Sequence, residues 1–176
     1  MAAKMKWDGG ITKAWSRRAK ARGMPALGRT HIYLVIPSLG RNEMTHNASN
    51  ENAIRGLLAQ WAAAVRAKDL SAILADHSSD FLMFDVPPPF QSRGLKAYED
   101  TWRLFYSSQP EPVVFDIKHL EIVAGDDVAF ASAHMQCAEI DENGQRIPLD
   151  FRLTVGLRKI GDRWTIVHEH HSVPAT

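Results

Sequence analysis

The chain predicts an α+β domain with helices packed on one face of a curved sheet. Amphipathic helical segments fill the first half of its body. Four strand-like runs, residues 113–124, 127–140, 147–159 and 163–173, fill the second and are divided by the turn signals "GDD", "DENG" and "GD". Helices followed by a meander give helices covering a sheet.

The stretch "ASNENAIRGLLAQWAAAVRAKDL" is the clearest helix. Ile54, Leu57, Leu58, Trp61, Ala62 and Val65 make one apolar stripe, Ser49 or Asn50 suits the cap and Glu51 the first turn. Asp69 reads as the cap of a short second helix that turns Leu70, Ile73 and Leu74 inward. Phe81, Leu82, Met83 and Phe84 suit a buried strand, stopped by Pro87, Pro88 and Pro89 because proline has no N–H for a ladder. Ser92 then suits the cap of a third helix carrying Leu95, Tyr98, Trp102 and Phe105 at helical spacing. The meander follows.

With 176 residues, 45% of them hydrophobic and 23% charged, the chain has the make-up of one soluble globular domain with a full core. No apolar run approaches the roughly 20 residues that span a bilayer, so a membrane role is not expected. The single cysteine, Cys137, excludes an intrachain disulfide and a cysteine-rich zinc site, and suits a reducing cytoplasm. The net charge of +1 hides an asymmetry. Residues 1–43 hold nine Lys/Arg against Asp8 and Glu43, and residues 44–176 hold twelve against eighteen acids. The expected organisation is a basic, flexible extension over 1–43 and a folded domain over 44–176. A basic segment of this kind also suits an anion-binding arm or a transit peptide; its lack of any period favours a plain extension, and nucleic acid is not expected as a partner.

The chemical candidates cluster late in the chain. In "VHEHHS", strict alternation puts His168 and His170 on the face of Trp164 and Ile166, with Val167, Glu169 and His171 opposite. The pair suits proton transfer, or two of the ligands of a metal, but no third ligand is fixed by spacing, and no metal is assigned. In "LDFRLTVGLRK", Leu149, Phe151, Leu153, Val155 and Leu157 form the core face, leaving Arg152 and Thr154 toward solvent or a pocket. Asp85 follows an apolar strand directly, as a turn residue or a pocket acid. His134 extends the polar set on its strand, and Cys137 reads as a small buried residue. Trp102 and its aromatic neighbours read first as core, with Trp102 carried as a candidate pocket wall.

The ordered set "AIRGLLAQWAAAVRAKDLSAILADHSSDFLMFD", "PPPFQSRGLKAYEDTW", "HLEIVAGDDVAFASA" and "FRLTVGLRKIGDRWTIVHEHHSVP" resembles the nuclear transport factor 2 superfamily, in its SnoaL-like, ketosteroid-isomerase-like branch. The closing strands are also similar to the association domain of calmodulin-dependent kinase. The resemblance covers residues 48–174. It implies a cone, a curved mixed sheet wrapped around helices in the cystatin-like α+β barrel manner, open at one end to a small-molecule pocket, and homodimers formed through the outer sheet face. The first helix holds no tyrosine, so the ketosteroid isomerase mechanism is not carried over.

Two functions follow. One is a small-molecule enzyme without a cofactor, an isomerase or cyclase taking a small hydrophobic or anionic organic ligand. Asp85, His168 or His170 would then serve as acid or base, and Arg152, Thr154, Trp102 and His134 would contact the ligand, Arg152 holding an anionic or enolate oxygen. The other is a non-catalytic domain that binds a ligand or assembles subunits.

Overall fold

The computed structural model describes residues 41–174, with side-chain surroundings from 47 onward. What is expected of residues 1–40 lies outside the described residues. The chain runs α1 (Arg41–Ala67), α2 (Leu70–Leu74), β1 (His77–Phe84), β2 (Ser92–Arg93), α3 (Leu95–Ser108), β3 (Phe115–Ala124), β4 (Val128–Ile140), β5 (Arg146–Ile160) and β6 (Arg163–Ser172). One curved six-stranded sheet is ordered β2-β1-β6-β5-β4-β3. Neighbours are antiparallel except β1 and β6, which run parallel. This is the mixed α+β sheet the sequence predicts, and it is open rather than closed.

The helices form where the apolar spacing places them. In α1, Ile54, Leu58, Trp61, Ala62 and Val65 are buried, while Leu57 lies half-buried beside them. The helix does not start at Ser49 or Asn50. It passes through both, and the expected boundary between 43 and 44 falls inside it. Asn50 is needed elsewhere: its Nδ2 donates to the Gly125 carbonyl at 2.8 Å, tying the helix to the β3–β4 turn. Asp69 caps α2 as expected, its Oδ1 accepting from the Ala72 N–H at 3.0 Å.

Ser92 does not cap α3. It pairs with Met83 in β2, and Gly94 occupies the cap with φ 83° and ψ 160°. Only glycine adopts that region without strain. Gly94→Ala is therefore expected to cost about 1–3 kcal/mol, read as a lower urea midpoint with an unchanged slope. An unchanged midpoint would remove the backbone argument.

The core joins helices to sheet through aromatic rings. Trp61 meets Phe115 edge-on at 5.1 Å between centroids and Trp102 at 5.9 Å, an arrangement that suits ring quadrupoles. Tyr106 donates its hydroxyl proton to the Val65 carbonyl at 2.8 Å, and Arg66 donates to the Phe115 carbonyl at 2.7 Å. The end of α1 is thereby held against α3 and β3.

The decisive irregularity is in β6. Ile166 pairs with Leu157, but His168 pairs with Gly156, so Val167 is an extra residue. A bulge of this kind reverses which alternate residues face inward. Before it, Trp164 and Ile166 are buried; after it, Glu169 and His171 take the inner face. The expectation that His168 and His170 share a face with Trp164 and Ile166 is overturned for that reason. They face outward together.

Candidate functional site

Beneath α3 and the open end of the sheet lies a cavity of about 340 Å³. Trp102 and Phe105 of α3, Phe115 of β3 and Phe151 of β5 give it aromatic walls. Met83, Leu149 and Cys137 add apolar surface. Among the described residues its only charged lining groups are Asp85, just past β1, and His171, near the end of β6. Apolar walls converging on a few polar groups are the usual make-up of a small-molecule site.

Asp85 and His171 begin a polar line that runs into the core. His171 Nδ1 stands 3.3 Å from Asp85 Oδ1, and His171 Nε2 stands 3.4 Å from Glu169 Oε2, an ionic contact without the direction of a hydrogen bond. Glu169 is wholly buried. Its Oε1 faces His77 Nε2 at 2.8 Å, and the Tyr98 hydroxyl donates to Oε1 at 2.9 Å and Oε2 at 3.1 Å. Trp61 Nε1–H in turn donates to the Tyr98 oxygen at 3.1 Å. The network built on this carboxylate therefore joins four elements: α3, β1 and β6 at Glu169 itself or beside it, and α1 through Trp61.

The electrostatics follow from this packing. Burial works against the charged form of Glu169, but the bonds and charges of His171 and His77 outweigh it and bring its pKa down to about 2. Burial likewise opposes a charge on His171, yet Asp85 and Glu169 outweigh it and raise its pKa to about 9. His171 is thus an imidazolium at neutral pH, set between two carboxylates. Burial, then the Glu169 charge, hold the Tyr98 hydroxyl well above its usual range, so it remains a donor. Burial, then Glu139, push the Cys137 thiol up to about 11, which leaves it protonated and a poor nucleophile.

Of the residues picked from sequence, the structure brings Asp85 and Trp102 to the cavity. His168, His170, Arg152, Thr154 and His134 come together instead on the outer sheet face. Thr154 pairs with His170, and Arg152 with both His134 and Ser172. His168 is tied down through Nδ1 to the Leu82 carbonyl, 2.8 Å away. Arg152 therefore cannot meet an anionic oxygen inside the cavity. Sequence reading missed His171, Glu169 and His77, and took Tyr98 for plain core. One available signal was Tyr98 itself, since a tyrosine in an apolar helix stripe must find a partner for its hydroxyl. Among the described residues no cluster of His, Cys, Asp and Glu is placed to hold a metal ion, and no helix is long and apolar enough to cross a membrane.

Comparison with known proteins places this geometry. Comparison with curated proteins gives no match. A solved nuclear transport factor 2-like protein of unknown function from Pseudomonas putida KT2440 is 32% identical, with a TM-score of 0.66 over 73% of this chain and 89% of that one. A ketosteroid isomerase-like protein from Erwinia carotovora atroseptica is 16% identical, at 0.59 over 71% and 96%. A candidate calcium/calmodulin dependent protein kinase II association domain from Xanthomonas campestris is 17% identical, at 0.59 over 70% and 87%. The two more distant likenesses show the fold alone. The SnoaL-like domain model matches residues 54–176, most of the chain, and the protein belongs to the SnoaL-like domain family.

Proposed function

We propose that the chain binds a small, largely apolar organic molecule in the cavity and exchanges a proton with it through Asp85, without a cofactor. The observation that carries this reading is the charged line Asp85–His171–Glu169, which ends on the wall of an otherwise apolar cavity. Asp85 takes a proton from an acidic group of the ligand, the electron pair stays on the ligand, and the proton returns at the same or another atom. His171 balances the carboxylate charge and fixes its position. Gln109 lines the cavity, and its Oε1, buried without a partner, is a further neutral acceptor for a donor on the ligand. This is the proton bookkeeping of an isomerase or cyclase.

The test is hydrogen–deuterium exchange at the α-carbon of a planar cyclic ketone such as 2-tetralone, followed by proton NMR in D₂O. Wild-type protein is expected to accelerate exchange, and Asp85→Asn to reduce that acceleration by about 10²-fold, the lower end of what a positioned base contributes. Exchange no faster than in buffer would remove the proton-transfer reading.

Pairing of two copies through the outer sheet face is a second, compatible proposal. Val123, Val128 and Phe130 are 58%, 57% and 51% exposed there, on adjacent strands. Sedimentation equilibrium of wild type and Phe130→Glu tests it: a dimer lost in the variant supports the proposal, and a wild-type monomer overturns it.

A further inference from the structure

We infer that, among ligands of one shape, the cavity prefers those that present a proton to Asp85, an O–H or N–H above all, and rejects carboxylates. This rests on the reading of the cavity as a ligand site, and adds to it the chemistry of the ligand's polar end.

The donors and acceptors on the lining set this preference. Among the described residues no lysine or arginine lines the cavity, and the cation that does, His171, already stands 3.3 Å from Asp85 Oδ1 through Nδ1 and 3.4 Å from Glu169 Oε2 through Nε2. An incoming anion finds no described cation whose charge is not already balanced by carboxylates. Asp85 is different. Its Oδ1 accepts from the Val86 N–H at 2.8 Å and faces His171 Nδ1, whereas no described group meets its Oδ2. An open carboxylate oxygen beside an apolar wall is a strong acceptor awaiting a donor.

The lining hydroxyls point the same way. Thr101 Oγ1 donates to the Ala97 carbonyl at 3.1 Å, and Ser108 Oγ donates to the Phe105 carbonyl at 3.0 Å. Each has given its proton to the α3 backbone and offers only lone pairs to the cavity. The Oε1 of Gln109, buried without a partner, adds a neutral acceptor. A carboxylate entering here would lose its hydration without a charged partner and would face Asp85, which is costly on both counts. A hydroxyl or ammonium completes Asp85, while its aromatic body stacks against Trp102, Phe105 and Phe151. An ammonium would gain further from the ring faces. The anionic ligand anticipated from the sequence depended on Arg152, which stands on the outer face.

Isothermal titration of the full chain at pH 7 with four probes of one shape tests this: naphthalene, 2-naphthol, 2-naphthylmethylamine and 2-naphthoate. The donors are expected to bind at least about tenfold more tightly than naphthoate, and Asp85→Asn to bring the set within about threefold. The hydroxyl and ammonium arms show which donor is preferred. Naphthalene binding with no preference for donors, or naphthoate binding as tightly as naphthol, would overturn the inference and leave the ligand cavity standing. Binding of none of the four would overturn the ligand reading and this inference with it. Titration of the alcohol and naphthoate into Gln109→Leu separates the neutral amide's part, since the ranking is expected to survive that change.

Discussion

Glu169→Ala is expected to lower the unfolding free energy by about 3–5 kcal/mol, the range for removing one partner from a buried ionic group. The side chain is wholly buried, accepts from Tyr98, faces His77 Nε2 at 2.8 Å and lies in ionic contact with His171. Its removal leaves the Tyr98 O–H and the His77 N–H without an acceptor, and the His171 imidazolium with one carboxylate instead of two. It also opens a cavity that the surrounding aromatic rings do not refill easily, because Tyr98 is packed against His77 at 4.6 Å and Phe81 at 4.5 Å between centroids. Against a total stability of about 5–15 kcal/mol such a loss brings the fold near its limit. Glu169→Gln keeps the volume and one acceptor oxygen, but turns an amide N–H₂ toward groups that are themselves donors. It is expected to fall between wild type and alanine. Urea unfolding of the three proteins, followed by tryptophan fluorescence, measures the series. A loss under about 1 kcal/mol for alanine would show that Glu169 holds little of the core together.

The same carboxylate marks where sequence reasoning stops. The helices were legible because Ile54, Leu58, Trp61 and Val65, and later Tyr98 and Trp102, recur at helical spacing and are buried as that spacing demands. The meander was legible because β5 and most of β4 alternate, and the two strands pair in one register without a shift. Asp85 could be singled out because a carboxylate directly after an apolar strand reads either as a turn residue or as a pocket acid. The rest of the site depends on one added residue at Val167, and alternation has no means of announcing a bulge. Without it, Glu169 and His171 read as solvent-facing and His168 and His170 as pocket residues. With it the assignment reverses. Nor could one strand's pattern show that His77, at the other end of β1, would reach Glu169 across 92 positions of sequence.

The stability of the protein is expected to form a plateau between about pH 4.5 and 6.5 and to fall on either side, the signature of an acid and a base locked together. Glu169 is held at about 2 against an ordinary 4.5, so its contribution is complete above 4.5 and is lost as the pH falls toward 2. His171 is held at about 9 against an ordinary 6.5, so its contribution is complete below 6.5 and is lost as the pH rises through 9. At about 1.4 kcal/mol per pH unit each limb reaches about 3–4 kcal/mol at most. The limbs are not independent, because both shifts contain the contact between these two groups. His171 is faced by Asp85 from the end of β1, by Glu169 on its own strand and by the Phe151 ring from β5, 5.4 Å away. Only the two carboxylates hold its proton. Cys137 begins to add its own loss at its ordinary pKa of 9, and Tyr98 and Tyr106 at 10, so the interval from 6.5 to 9 isolates the histidine. Urea titrations at pH 6 and pH 9 are expected to show wild type losing about 2–3 kcal/mol and His171→Gln losing little. An equal loss in both proteins would assign the alkaline limb to other groups. A flat wild-type profile would mean that His171 gives up its proton without strain on the fold, and that the line from Asp85 to Glu169 is a set of neighbours rather than a bonded unit.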